Sequence, residues 1–206
     1  MWLIAFSTFI FSALAVPHST RGLPLCSAST PRACACPSGT TFTNSTTWAR
    51  YPAAVKDVTA ITGNYFETAW FGSSPIKTSG QPYTVGADRT LMGELPNTAP
   101  FPATERLTMH KQLPNHSGFQ IKYQMVDAPF HYNQTNGERG QIFGYWEFME
   151  IHAVSPIRTH WVWNIYSCFS TPSDFEAFHE SAMNNVSSIL ESRGKMYGRL
   201  IGPYSY

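Results

Sequence analysis

Apolar and polar residues alternate with a period of two through most of the second half of the chain. In Gly118–Asp127 the apolar set is Phe119, Ile121, Tyr123 and Met125, with Gln120, Lys122 and Gln124 between them. Successive side chains of a strand point to opposite faces, so this pattern predicts a half-buried strand with odd positions inward. The same reading predicts strands over Val85–Met92, Thr104–Gln112, Gln141–Val154 and Arg158–Phe169, a shorter one near Pro75–Ser79 and a first one within Thr40–Thr47. The breaks are turn sequences: Ser79-Gly80, Leu113-Pro114-Asn115, Asn136-Gly137 and Ser155-Pro156. Adjacent strands with short connections predict an antiparallel meander.

Three stretches carry a helical period instead. Pro52 stands at a first helical position, Ala54, Val55, Val58 and Ile61 follow at helical spacing, and Gly63 is a natural stop. Asn64 can cap a second short helix over Tyr65–Phe71, which Gly72 closes. The longest helix follows Thr171-Pro172-Ser173-Asp174, which offers an N-cap, a proline and an acidic residue in order. Phe175, Phe178, Ala182, Val186, Ile189 and Leu190 then form one stripe, and Gly194 ends it. That stripe must be buried, and the sheet is the large partner available.

One strand, two short helices, a run of antiparallel strands and a long C-terminal helix is an order that resembles the helix-grip fold of the START-like superfamily, an α+β architecture. The superfamily includes the birch pollen allergen group and the polyketide cyclase/dehydrase and lipid-transport families. Short motifs support the likeness over about Thr40 to Gly194. Val55-x-x-Val58-x-x-Ile61-Thr62-Gly63-Asn64 resembles the first-helix stretch. Trp70 stands where a Trp is usual in the second helix. Val85-Gly86-Ala87-x-Arg89 resembles a Val-Gly-x-x-Arg strand, Thr104-Glu105-Arg106-Leu107 the following Glu-x-Leu strand, and Tyr123 a common Tyr of the next. The resemblance implies a curved sheet wrapped around the helix with a ligand cavity between them.

The start of the chain changes the setting. Trp2 to Ala15 carry no charge, are mostly apolar, and end in Ala13-Leu14-Ala15, a small-x-small pattern. The run is shorter than the roughly 20 residues a membrane span needs, and reads as a signal peptide cleaved after Ala15. No other stretch is long and apolar enough to span a membrane. The expected organisation is a signal peptide over 1–15, an arm rich in Cys, Pro and Ser over 16–39, and the helix-grip domain over 40–206. Four sequons, at Asn44, Asn115, Asn133 and Asn185, and four cysteines, Cys26, Cys34, Cys36 and Cys168, agree with secretion. Four cysteines allow three pairings; Cys26 with Cys34 and Cys36 with Cys168 is preferred, because the second bridge ties the arm to the body. Set beside the family, these features look like a secreted fungal branch.

Charged residues make up 13% of the chain, about half the usual share, and aromatics 15%. With a formal net charge of +1 and no basic run, nothing points to nucleic acid. No nucleotide-binding glycine loop, nucleophile elbow or metalloprotease motif occurs, and no cofactor or metal site is expected.

The candidate chemistry comes from strand alternation. The inward set of Val85–Met92 is Val85, Ala87 and Leu91, which takes Arg89 with it. Leu107 and Met109 bring Glu105 inward, Met149 and Ile151 bring Glu147, and Asp127 continues the register of Tyr123. Isolated buried charges are costly, so these four must be paired, hydrated or at a rim. One reading is a structural Arg89–Glu105 bridge, another a bulge that turns some of them to solvent. The third is a pocket between sheet and helix in which Arg89, Glu105, Tyr123, Asp127, Glu147 and Trp163 orient a ligand. The expected partner is a hydrophobic small molecule such as a lipid, sterol or polyketide, held by a secreted protein taken as a monomer. The alternatives are a cyclase or dehydratase using Glu105, Asp127 or Glu147 as acid or base, and an interaction protein whose cavity is filled by its own side chains.

Overall fold

The alternating segments pair into one sheet. A computed structural model describes residues 23–27, 34–95, 97–171 and 173–206. The signal peptide read at residues 1–15 lies outside these. Nine strands, β1 (Thr41–Tyr51), β2 (Lys77–Ser79), β3 (Asp88–Gly93), β4 (Phe101–Gln112), β5 (Gly118–Met125), β6 (Phe130–Asn133), β7 (Arg139–Ser155), β8 (Arg158–Phe169) and β9 (Ile201–Ser205), lie in the order β2-β3-β4-β5-β7-β8-β1-β9, with β6 also on β7. Every pairing is antiparallel. Two α-helices, α1 (Val55–Thr62) and α2 (Phe175–Ser192), pack on the concave side, giving the helix-grip α+β architecture.

The long helix starts later than its sequence signal. Asp174, not Thr171, is the N-cap, and its Oδ1 accepts the amide of Ala177 at 2.9 Å. At the other end Gly194 has φ of +65°, its amide bonds to Glu191 O, and the amide of Lys195 bonds to Leu190 O. That pair of bonds satisfies the last carbonyls and needs the left-handed conformation glycine adopts freely. Ala182, Met183, Val186 and Leu190 sink into the concave face against Trp161, Trp163 and Tyr51. Phe178, expected in the buried stripe, is 40% exposed.

Local breaks in the ladder account for the other departures. Between Leu107 and Met109 the register on β5 slips by one residue, so beyond that point His110 pairs with Ile121. A bulge of this kind inverts the alternation, which takes Met109 out of the inward row predicted for it. A second slip, between Ile142 and Gly144, sets both Ile142 and Tyr145 into the core. Val85 lies before β3 and is exposed. The second short helix is reduced to one 3-10 turn, Ala69–Phe71. Pro52 precedes α1 instead of opening it. β9, at the sheet edge, contains Pro203, which only an edge strand tolerates.

β8 is covered on both faces toward its C-terminal end. Its odd positions Trp161, Trp163 and Ile165 face the helix side. Its even positions Tyr166 and Cys168 meet the N-terminal arm: Trp146 stacks on Tyr166 at 5.3 Å, and the Tyr166 hydroxyl donates to Ser27 O at 2.6 Å. Cys26 is bonded to Cys34 and Cys36 to Cys168. The first bridge spans 8 residues and the second 132. Cross-links stabilise chiefly by restricting the unfolded chain, more so for long loops. Replacing Cys36 and Cys168 together by alanine should therefore lower the unfolding free energy by about 2–4 kcal/mol, and replacing Cys26 and Cys34 by less. Urea titration of both double variants checks the order; a larger loss from the short-loop pair would contradict it.

Candidate functional site

Arg89 is the deepest charge of the concave face. It stands on β3 opposite Glu105 on β4, and its Nε donates to Glu105 Oε2 at 2.7 Å. A second guanidinium nitrogen donates to Tyr65 O at 2.8 Å. The guanidinium lies 4.2 Å from the Tyr65 ring centroid and 4.7 Å from that of Tyr123, a cation–π arrangement. Burial works against its charge, but Glu105 and the surrounding phenols outweigh this and hold Arg89 above its ordinary value. Burial is the largest influence on Glu105 and pushes its carboxyl up; Arg89 opposes the rise and Glu147 adds to it. The Tyr145 hydroxyl donates to the other Glu105 oxygen at 2.8 Å.

Glu147 forms a parallel network on β7. The Tyr123 hydroxyl donates to its Oε2 at 2.6 Å and the Trp163 indole nitrogen to the same oxygen at 2.5 Å. His179 of α2 stacks on Trp163 with ring centroids 4.0 Å apart. Its Nε2 stands 3.7 Å from Glu147 Oε2 and makes no hydrogen bond, while Nδ1 is 3.5 Å from Thr47 Oγ1. Burial drives the phenols of Tyr123 and Tyr145 far above their ordinary range, so both remain neutral donors.

These two networks form one wall of a cavity of about 490 Å³ near the N-terminal end of α2. Glu105, Tyr145 and Glu147 face it, Ser73, Glu94, Ser173 and Asp174 also line it, and the rest is apolar: chiefly Leu91, Leu95, Phe101, Ala103, Ile142 and Phe169 from the sheet side, Phe71, Phe175 and Phe178 opposite. Of the six side chains expected there, Glu105 and Glu147 line it. Arg89, Tyr123 and Trp163 stand behind those two and hold them in place. Trp163, read as a cavity aromatic, is 1% exposed and packed between Trp161, Trp70 and His179.

Asp127 is not part of the site. β5 ends at Met125, and the chain bends away before β6 resumes pairing with β7, so the inward alternation stops two residues short of the carboxyl. Asp127 is exposed. Among the sequons, Asn44, Asn115, Asn133 and Asn185 are all exposed. The Nδ2 of Asn185, the atom a glycan needs, donates to Trp70 O at 2.8 Å from within α2.

Two site residues escaped the sequence reading. Tyr145 lies two positions before Glu147 and so shares its inward face, a signal that was present. His179 is four residues after Phe175 and four before Met183, squarely on the buried side of α2; the search for metalloprotease spacing passed over that role.

Breaking a buried ion pair by removing one partner leaves an uncompensated charge. Arg89→Met should accordingly destabilise the fold by about 3–5 kcal/mol, and Arg89→Met with Glu105→Leu should recover most of that loss. Chemical denaturation of the single and double variants decides; equal losses in both would refute the pairing energy.

A family model described as a START domain matches residues 42–206. No curated protein matches the chain. Solved structures similar to this chain include a protein from Nitrosospira multiformis, 18% identical over 75% of this chain and 99% of that one, with a TM-score of 0.49. Norcoclaurine synthase from Thalictrum flavum, in complex with dopamine and hydroxybenzaldehyde, is 10% identical over 75% of this chain and 89% of its own, with a TM-score of 0.48. An uncharacterized protein from Bacillus thuringiensis is 12% identical over 72% of this chain and 99% of its own, with a TM-score of 0.48.

Proposed function

Because the chain belongs to the START domain family, a fold built to bind ligands, we propose that it holds one hydrophobic small molecule in the cavity beside the N-terminal end of α2. The carrying observation is the lining: a largely apolar space of about 490 Å³ with Glu105, Tyr145 and Glu147 grouped on one wall. That volume falls within the roughly 300–1,000 Å³ of sites for drug-sized ligands, which combine an apolar lining with a few placed polar groups. The size suits a compact ring-bearing molecule, a sterol or polyketide, better than a two-chain lipid.

The polar wall is dominated by two carboxyl groups, with the Tyr145 hydroxyl turned to one of them. Arg89 is spent on Glu105 and Tyr65, and all three neighbours of Glu147 converge on one of its oxygens. A ligand completing this wall brings a hydroxyl or amine to the carboxyl groups, and a fatty-acid carboxylate meets repulsion there. The enzyme alternative, acid–base chemistry on a polyketide, retains Glu105 and Glu147 as its groups and loses Asp127. The filled-cavity alternative applies to the deeper interior, where Trp161, Trp163, Tyr51 and Met183 are fully buried and packed in one cluster. The two disulfides support export from the cell, and no helix of the described residues is long and apolar enough to cross a membrane.

Binding of the neutral dye Nile red and its displacement by a matched long-chain amine, alcohol and carboxylic acid test both parts. The amine and alcohol should bind about tenfold tighter than the acid, a difference of about 1.4 kcal/mol. Ala103→Trp and Met92→Trp, which fill the cavity and narrow its mouth, should abolish dye binding. Dye binding unaffected by either substitution would sink the cavity reading, and acid binding as tight as amine would sink the assignment of its polar wall.

A further inference from the structure

A second hollow, of about 500 Å³, lies where β1 ends, between the β7–β8 hairpin and the segment that follows α2. It is remote from the cavity: Val154 is seven residues beyond Glu147 along β7, on the order of 23 Å at about 3.3 Å per residue. Three arginines from three separate parts of the chain, Arg50, Arg158 and Arg199, line it, and no acidic side chain does. None of the three takes part in an ion pair among the described residues. The acidic groups of neighbouring elements are engaged elsewhere, Asp57 by Lys195 and Glu150 by His152.

Three like charges gathered around one concavity repel one another and focus a positive potential there. In a chain whose formal net charge is only +1, that concentration is local, and not a general basic character. The same hollow carries aliphatic side chains turned to solvent: Val154 is 55% exposed, Ile157 48% and Ile201 52%. A soluble phosphate ester needs the arginines and has no use for these. An anionic lipid at a bilayer surface uses both, its phosphate taken by guanidinium groups and the aliphatic side chains set against the interface.

We propose that this hollow binds the phosphate headgroup of an anionic lipid and seats the protein on a membrane surface by the tip of the β7–β8 hairpin. The proposal stands apart from the occupancy of the cavity beside α2, since no residue is common to the two linings.

Cosedimentation with phosphatidylcholine vesicles, with and without phosphatidic acid, tests it. Wild-type protein should pellet with the acidic vesicles and stay in solution with the neutral ones, and raised salt should release it. Arg158→Gln with Arg199→Gln should weaken binding about thirtyfold, and Ile157→Ser should weaken it at low salt too, with circular dichroism unchanged in both since all three side chains are exposed. Equal binding to both vesicle types, or acidic-vesicle binding indifferent to the arginine substitutions, would overturn it. Tight binding of glycerol phosphate without vesicle binding would assign the hollow to a soluble anion and overturn it as well.

Discussion

Burying one guanidinium organises the concave face. Arg89 cannot stand there alone, because an unpaired buried charge costs several kcal/mol. Its demands are met by a carboxylate from the next strand, the backbone carbonyl of Tyr65 and two aromatic rings. Glu105 and Tyr123 belong to the sheet, whereas Tyr65 supplies both a carbonyl and a ring from outside it, so satisfying the charge also fixes the stretch after α1 against the sheet. Glu105 is thereby held with its second oxygen toward Tyr145, and the polar wall of the cavity follows from that orientation. The carboxyl groups face the cavity because other side chains hold them from behind.

The aromatic content decides where empty space remains. A sheet wrapped around one helix encloses more volume than the helix fills. Here Trp161, Trp163, Trp70, Tyr51 and Tyr65 occupy the middle and one end of it. Space remains beside the N-terminal end of α2, where Leu91, Leu95 and Ala103 are smaller and Phe175 and Phe178 of α2 line the opposite side. The cavity is thus a remainder set by side-chain size.

Strand identity was legible wherever alternation ran unbroken. The eighth strand was read with the same bounds it has in the structure, and the inward row of Phe119, Ile121, Tyr123 and Met125 is buried as expected. The misreadings of strand facing have local causes that alternation cannot register: the slip after Leu107 that turns Met109, the start of β3 beyond Val85, and the bend that removes Asp127. A bulge shifts pairing through backbone geometry on the partner strand, which composition does not record. The short Tyr65–Phe71 helix failed for a tertiary reason, since Arg89 takes the carbonyl of Tyr65. β9 was missed because Gly202 and Pro203 argue against a strand locally, and only its place at the edge permits one. Arg89, Glu105 and Glu147 could be found because an inward-pointing charge violates the pattern, whereas His179 looks like ordinary core and Trp163, read as a cavity aromatic, shows its supporting role only through the groups it touches.

The arm that covers the outer side of β8 has a kinetic corollary. A strand clad on one face and bare on the other exchanges its amide hydrogens whenever the sheet breathes toward solvent. With the arm and its Cys36–Cys168 bridge over its back at Tyr166 and Cys168 and the helix side over its front, the C-terminal half of β8 has no such exit. Its amides should be among the last of the sheet to exchange, which makes this stretch a reference against which any partial loosening of the protein, including one that admits a ligand, can be timed.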